Sequence, residues 1–265
     1  MRITILYNRD LYSNEALNHL LPKLVAHDIT LLYSHRVGAK AQRDPRLDSL
    51  AFVEQDFFTN TLFPMLDASS RTGERLTFMQ LAKRCGTTEI PVENINAAEG
   101  IALLEAASPD LIVSIRFGQI LKEPAIATPP LGVLNLHSGL LPAYRGVMAT
   151  FRAMQAKDSH IGLTLHWIDS PAIDKGGVIE RLAIPPDHQA SYLRNVYQLY
   201  APGAKLLETS IDQLDGGQAL STEVAKGQDA YFSFPDKDAL DAFEKDGYRL
   251  FDNRDIQTIG GRFLA

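Results

Sequence analysis

The chain has 265 residues, 45% hydrophobic and 22% charged, with a formal net charge of -6 from 26 basic and 32 acidic side chains. That length suits one large globular unit with a small appendage, and the acidic balance speaks against a broad nucleic-acid surface, which needs clustered Lys and Arg. The single cysteine, Cys85, excludes an internal disulfide and fits a reducing, cytoplasmic setting. No apolar run approaches the roughly 20 residues of a membrane helix, and residues 1–7 read as a first buried strand rather than a signal peptide.

The first two-thirds alternates strand-like and helix-like segments. Residues 2–7 are a β-branched strand. Residues 14–26 follow with Leu17, Leu20, Leu21 and Leu24 at helical spacing, capped by Ser13 or Asn14, with Pro22 breaking the regularity. Residues 27–33 are the second strand, and strand–helix–strand implies a right-handed crossover into a parallel sheet. Residues 36–70 interrupt this rhythm. Their aromatic stretch from Phe52 to Phe63 lacks a clean period and reads as an insertion that packs on the sheet or walls a pocket. Helices are expected over 75–84, 97–107 and 148–155, and strands over 88–92, 111–115, 132–137 and 162–168. The stretch 190–214 is helical but interrupted by Pro202-Gly203. After the turn at Gly216-Gly217 come short strands, a helical turn near 239–244 and a loose end. The pattern predicts an α/β fold: a Rossmann-like open, mostly parallel sheet with helices on both faces, plus a small C-terminal α+β appendage. The expected division is a catalytic domain over 1–189 and a helical connection with a small subdomain over 190–265.

Asn135 and His137 stand two apart at the end of a buried strand, so period-two geometry puts both on one face. Ligands of open parallel sheets bind at strand C-terminal ends. The loop 138–146 follows directly, and a second loop, 169–177, holds Asp174 beside two glycines. An Asn, a His and an Asp meeting at one crevice suit acyl transfer to an amine. The His relays a proton near neutral pH, the Asn amide donates to a developing oxyanion, and the Asp orients the imidazole. An attacking amine needs no Ser or Cys nucleophile.

The run Asn135-Leu136-His137-Ser138-Gly139-Leu140-Leu141-Pro142-Ala143-Tyr144-Arg145-Gly146 resembles the signature of folate-dependent formyltransferases: Asn-x-His, two residues, Leu-Leu-Pro, then Arg-Gly. Ile173-Asp174-Lys175-Gly176 is similar to that family's second motif, and Arg116-Phe117-Gly118-Gln119-Ile120-Leu121 to the segment lining its pterin pocket. The likeness spans roughly residues 1–185. Where many relatives place a serine immediately before Leu-Leu-Pro, this chain has Gly139, with Ser138 one position earlier. The resemblance implies N10-formyltetrahydrofolate as formyl donor, no metal, and an amine or hydroxylamine acceptor. Asn135, His137 and Asp174 would be catalytic. Arg116, Phe117, Gly118, Ile120, Leu121, Leu141, Asp169 and Ile173 would bind the donor, and Arg9, Tyr144 and Arg145 the acceptor.

Blander readings stand beside these. His137 alone could be a core histidine, and Asp174 a turn cap. Arg145 could bind an acceptor anion or close a loop salt bridge; Arg116 could line the pterin pocket or pair with a buried acid. His166 and Trp167 read as packing residues of a strand. His19, His27, His35, His160 and His188 have no metal-ligand spacing. Residues 6–14 contain no glycine, which excludes a dinucleotide fingerprint and the glycine-rich phosphate loop of glycinamide-ribonucleotide enzymes. The short acidic tail speaks against tRNA. A nucleotide-linked amino sugar is the favoured acceptor, with Tyr231, Phe232 and Phe234 as candidates for stacking a base; an amino-acid-derived amine or hydroxylamine and a catalytically silent binding relative are the alternatives. No nucleic-acid or membrane partner is expected, and a homodimer is compatible with the reading.

Overall fold

The structure is a computed structural model that describes residues 1–34 and 44–265. His35 and the beginning of the 36–70 stretch lie outside the described residues. Seven strands form one sheet in the order β3-β2-β1-β4-β5-β7-β8. They are β1 (Arg2–Asn8), β2 (Asp28–Ser34), β3 (Glu89–Pro91), β4 (Leu111–Ile115), β5 (Val133–His137), β7 (Ile161–Trp167) and β8 (Val178–Ile184). The first five pair in parallel, whereas β7 runs antiparallel to both β5 and β8. A mostly parallel, open α/β sheet results. Strand order reverses between β1 and β4, the topological switch point where such folds take ligands. Between β7 and β8 the register jumps: Leu165 pairs with Glu180 and His166 with Val178, leaving Ile179 over.

Helix α1 (Leu11–Leu20) starts three residues before the expected helix because Asp10, not Ser13 or Asn14, is its cap, accepting from the Ser13 N–H at 2.8 Å. Pro22 opens a short 3-10 turn over Leu21–Lys23. The aperiodic insertion is helical. Helix α2 (Pro45–Ala51) runs through a π-helix (Phe52–Leu62) into α3 (Phe63–Ser69), and the Phe63 N–H bonds back five residues to the Phe58 carbonyl. The buried Val53, Phe58 and Phe63 recur every five residues, which matches π rather than α geometry.

Helices α4 (Phe78–Arg84), α5 (Ala98–Ala107), α6 (Glu123–Ile126) and α7 (Ala149–Gln155) complete the layers around the sheet, and β6 (Arg145–Gly146) is a two-residue strand in the loop after β5. The 190–214 stretch splits into α8 (Tyr192–Tyr197) and α9 (Tyr200–Asp215). Pro202 sits in the first turn of α9, where its missing N–H costs nothing, while its ring excludes a continuous helix through Gln198. Gly203 lets α9 ride on the sheet, since a Cβ there would lie 2.3 Å from the Leu163 side chain.

The tail carries β9 (Tyr231–Phe232), α10 (Lys237–Lys245) and α11 (Asn253–Gly261), so the expected loose end is a capped helix. Tyr200, Leu207, Phe243 and Phe263 belong to the same core cluster as Ile3 and Ile5 of β1. Residues on both sides of position 190 therefore share one core. Among the described residues no helix is long and apolar enough to cross a membrane.

Candidate active site

A cavity of about 340 Å³ opens at the C-terminal ends of β1, β4 and β5, where Asn8, Ser114, Asn135 and His137 line it. Its opposite wall is loop 170–174, and a third side comes from α2 and the start of the π-helix through Leu47, Leu50, Ala51, Glu54 and Gln55. The insertion thus builds a pocket wall with its first turns, while Phe58 and Phe63 pack into the core against Phe263.

Asn135, His137 and Asp174 meet in this cavity. The His137 Nε2–H donates to the Tyr144 carbonyl at 2.7 Å, leaving Nδ1 facing the Asp174 carboxylate at 3.6 Å. Asp174 has a left-handed backbone, φ 54°, which its short polar side chain tolerates better than most. Its Oδ2 accepts from the Gly146 N–H at 2.8 Å. Burial works against its charge, but His137, His166 and that amide outweigh burial and hold the carboxyl at about 2.

A fourth residue completes the cluster. His166 of β7 lies opposite Asn135 of β5, as Thr164 lies opposite His137, so all four side chains share one sheet face. The His166 Nδ1–H donates to the Trp167 carbonyl at 2.8 Å, and its Nε2 accepts from Asn135 Nδ2 at 2.9 Å and stands 3.5 Å from Asp174. Asn135 therefore keeps its second Nδ2–H for the cavity. The sequence reading placed His166 among packing residues; the signal that finds it is the cross-strand pairing of β5 with β7.

Of the expected donor-site residues, Arg116, Phe117, Gly118, Ile120, Leu121 and Ile173 line the cavity. Arg116 also forms a buried pair with Asp10 at 2.8 Å and lies 4.6 Å from the Tyr12 ring centre. Burial disfavours its charge, yet Asp10 more than compensates and pushes its pKa well above the usual range. Its guanidinium is committed to this chain's own carboxylate. Leu141 and Asp169 do not line the cavity. Leu141 is buried, its N–H bound to Thr164 Oγ1 and its carbonyl to Arg181, and the Asp169 carboxylate lies beside Gly176.

The three expected acceptor residues also point elsewhere. Arg9 follows Asn8 and takes the alternate direction, its guanidinium 5.3 and 5.8 Å from the Tyr33 and Phe78 ring centres. Tyr144 stacks on Phe232 and donates its hydroxyl to Asp158 at 2.6 Å, so only its backbone carbonyl reaches the site. Arg145 bonds Asp229 and the Ile173 carbonyl. Tyr231 and Phe234 line the cavity; Phe232 does not.

Comparison with known proteins gives this geometry a context. Residues 83–201, a little under half of the chain, match the formyl transferase family. A methionyl-tRNA formyltransferase from Kosmotoga olearia is 29% identical over 184 residues, 68% of this chain and 58% of that protein. The chain spans about half the length of the curated relatives it matches. A glycinamide ribonucleotide transformylase from Symbiobacterium toebii shares the fold, with a TM-score of 0.57 at 17% identity over 85% of this chain and 94% of that one. So does an N-formyltransferase from Helicobacter canadensis solved with folinic acid and dTDP-3-aminofucose, with a TM-score of 0.53 at 15% identity over 86% of this chain and 70% of that one. The segment that carries Asn135, His137, His166 and Asp174 is thus the part of this chain that is similar to the formyl transferase family.

Proposed function

We propose that the protein transfers a formyl group from N10-formyltetrahydrofolate to the primary amine of a small molecule. One observation carries this reading: Asn135, His137 and Asp174 converge on a single cavity. Apolar Phe117, Leu121 and Ile173 and the backbone of the two flanking loops offer a pterin both a flat apolar contact and ring-edge hydrogen bonds. The donor supplies the formyl carbon. Asn135 offers its free Nδ2–H to the oxygen that gains charge, while His137, backed by the Asp174 carboxylate, accepts the proton that the attacking amine releases; as the bond between the formyl carbon and N10 breaks, that proton goes to N10 and tetrahydrofolate leaves.

A nucleotide-linked amino sugar is the first acceptor class. It is supported by the dTDP-sugar complex of the Helicobacter canadensis protein and by Tyr231 and Phe234 at the cavity wall. An amino-acid-derived amine or hydroxylamine is a second reading, favoured by a specific observation. The N-terminus of α1 and Arg116, which together could receive a phosphate, already hold Asp10. Incubation with N10-formyltetrahydrofolate and a panel of both amine classes plus methionyl-tRNA, followed by tetrahydrofolate release and mass spectrometry, tests the reading. A product with either amine class supports it. Formylation of tRNA alone overturns the acceptor assignment, and donor binding without transfer with any acceptor overturns the activity.

A further inference from the structure

The segment beyond the family match lies directly against the candidate site. β9 pairs in parallel with β6, Arg145 opposite Tyr231 and Gly146 opposite Phe232. The Arg145 N–H donates to the Ala230 carbonyl at 2.9 Å, the Val147 N–H to the Phe232 carbonyl at 3.0 Å, and the Ala230 N–H to the Pro142 carbonyl at 3.2 Å. Asp229 takes the Arg145 side chain, and the Tyr144 and Phe232 rings stack with centres 5.9 Å apart. Gly146, φ 92°, makes the approach feasible: a Cβ there would lie 2.2 Å from the Phe232 carbonyl oxygen.

Those same three residues, 144–146, hold the site on their other side. The Tyr144 carbonyl accepts from His137 at 2.7 Å, the Gly146 N–H donates to Asp174 at 2.8 Å, and Arg145 Nη1 donates to the carbonyl of Ile173 at 3.2 Å. One short segment, residues 144–146, thus touches both members of the His137–Asp174 pair and is itself anchored to the tail. We propose that residues 229–232 form a positioning strap that sets the distance between His137 and Asp174, with Arg145–Asp229 as its latch. Neither latch residue touches the reacting atoms. The kinetic consequence rests on the formyl-transfer reading; the positioning itself does not.

The test compares the full chain with Asp229→Ala, Arg145→Ala and the charge swap R145D/D229R. Nitrogen-15-labelled histidine spectra are recorded without substrate, and the His137 signals are assigned through His137→Gln. His137 is faced by Asp174, by His166 with ring centres 6.4 Å apart, and by the Tyr144 carbonyl. Releasing the latch should therefore move the His137 ring-nitrogen signals. In steady-state formyl transfer, kcat should fall about tenfold, and roughly a hundredfold at most, while KM for the donor stays put. The charge swap rebuilds the ion pair but not the Arg145 bond to the Ile173 carbonyl, so it should restore part of both. Asp229 is half exposed, so its removal leaves folding intact. Unmoved His137 signals in both single variants would overturn the strap. So would a fall in kcat that merely follows a fall in Tm. If the protein transfers no formyl group to any amine, the spectra alone still decide.

Discussion

Two buried carboxylates reach the same charge state by different means. Glu15 of α1 accepts from Arg75 at 2.8 and 3.1 Å, Arg262 at 3.2 Å, His19 at 3.0 Å and the Tyr197 hydroxyl. Burial opposes its charge, and the hydrogen bonds from His19, Arg75 and Tyr197 overcome burial and hold it at about 2. Asp174 is held at about 2 as well, yet it has one backbone hydrogen bond, and its remaining oxygen faces two imidazoles at 3.6 and 3.5 Å, beyond ordinary hydrogen-bond reach. The first is saturated and joins α1, the residues before α4, and α11. The second is left incomplete where a substrate can finish it. A buried charge that is fully satisfied is a structural tie; one that is only electrostatically balanced is available for chemistry.

The contrast can be broken experimentally. His137→Ala and Asp174→Ala should each lower kcat for formyl transfer by roughly 10²- to 10⁴-fold, with Tm lowered by less than about 4 °C in thermal scans. Glu15→Ala should do the reverse. It removes the buried carboxylate that Arg75 and Arg262 share, leaving them only the exposed Glu74, and should cost about 3 kcal/mol in urea unfolding, leaving kcat of the folded fraction unchanged. Equal effects of the two replacements on both readouts would erase the distinction. Asn135→Ala should raise the barrier by roughly 2.7–4 kcal/mol, read as kcat at saturating donor.

Smaller effects sharpen the same comparison. His166→Leu frees the Asn135 amide and should cost about tenfold in kcat, whereas His166→Gln, whose carbonyl can accept the same N–H, should recover part of it. Both carboxyls are depressed in the folded protein. Their stabilisation is therefore complete above the ordinary Asp and Glu values and lost as pH falls through about 2. Acid titration of unfolding free energy should show this loss below about pH 4.5, and Glu15→Gln should flatten it.

Legibility followed periodicity. β1, β4 and β5 are short β-branched or leucine-rich runs buried along nearly their whole length, and their composition announced them. Asn135 and His137 were visible as a pair because alternation within one strand fixes a common face. His166 was not, because its place depends on pairing between strands 31 residues apart. The helix through residues 52–62 was missed for a local reason: its buried residues recur every five positions, which a search at 3.6 passes over. Arg9, Tyr144 and Arg145 were read by residue type alone. Each is tied to a tertiary partner, Phe78, Asp158 or Asp229, that no local pattern reveals.

The leftover Ile179 between β7 and β8 has a consequence for how such a site can fail. Register in β7 decides which of its side chains point toward Asn135. A slip of a single residue would set Leu165 or Trp167 across from that amide and turn His166 to the far face, without altering one atom of the sequence. Insertions or deletions at the β7–β8 junction should therefore silence the site while the sheet stays whole, making this irregularity a pin rather than a flaw.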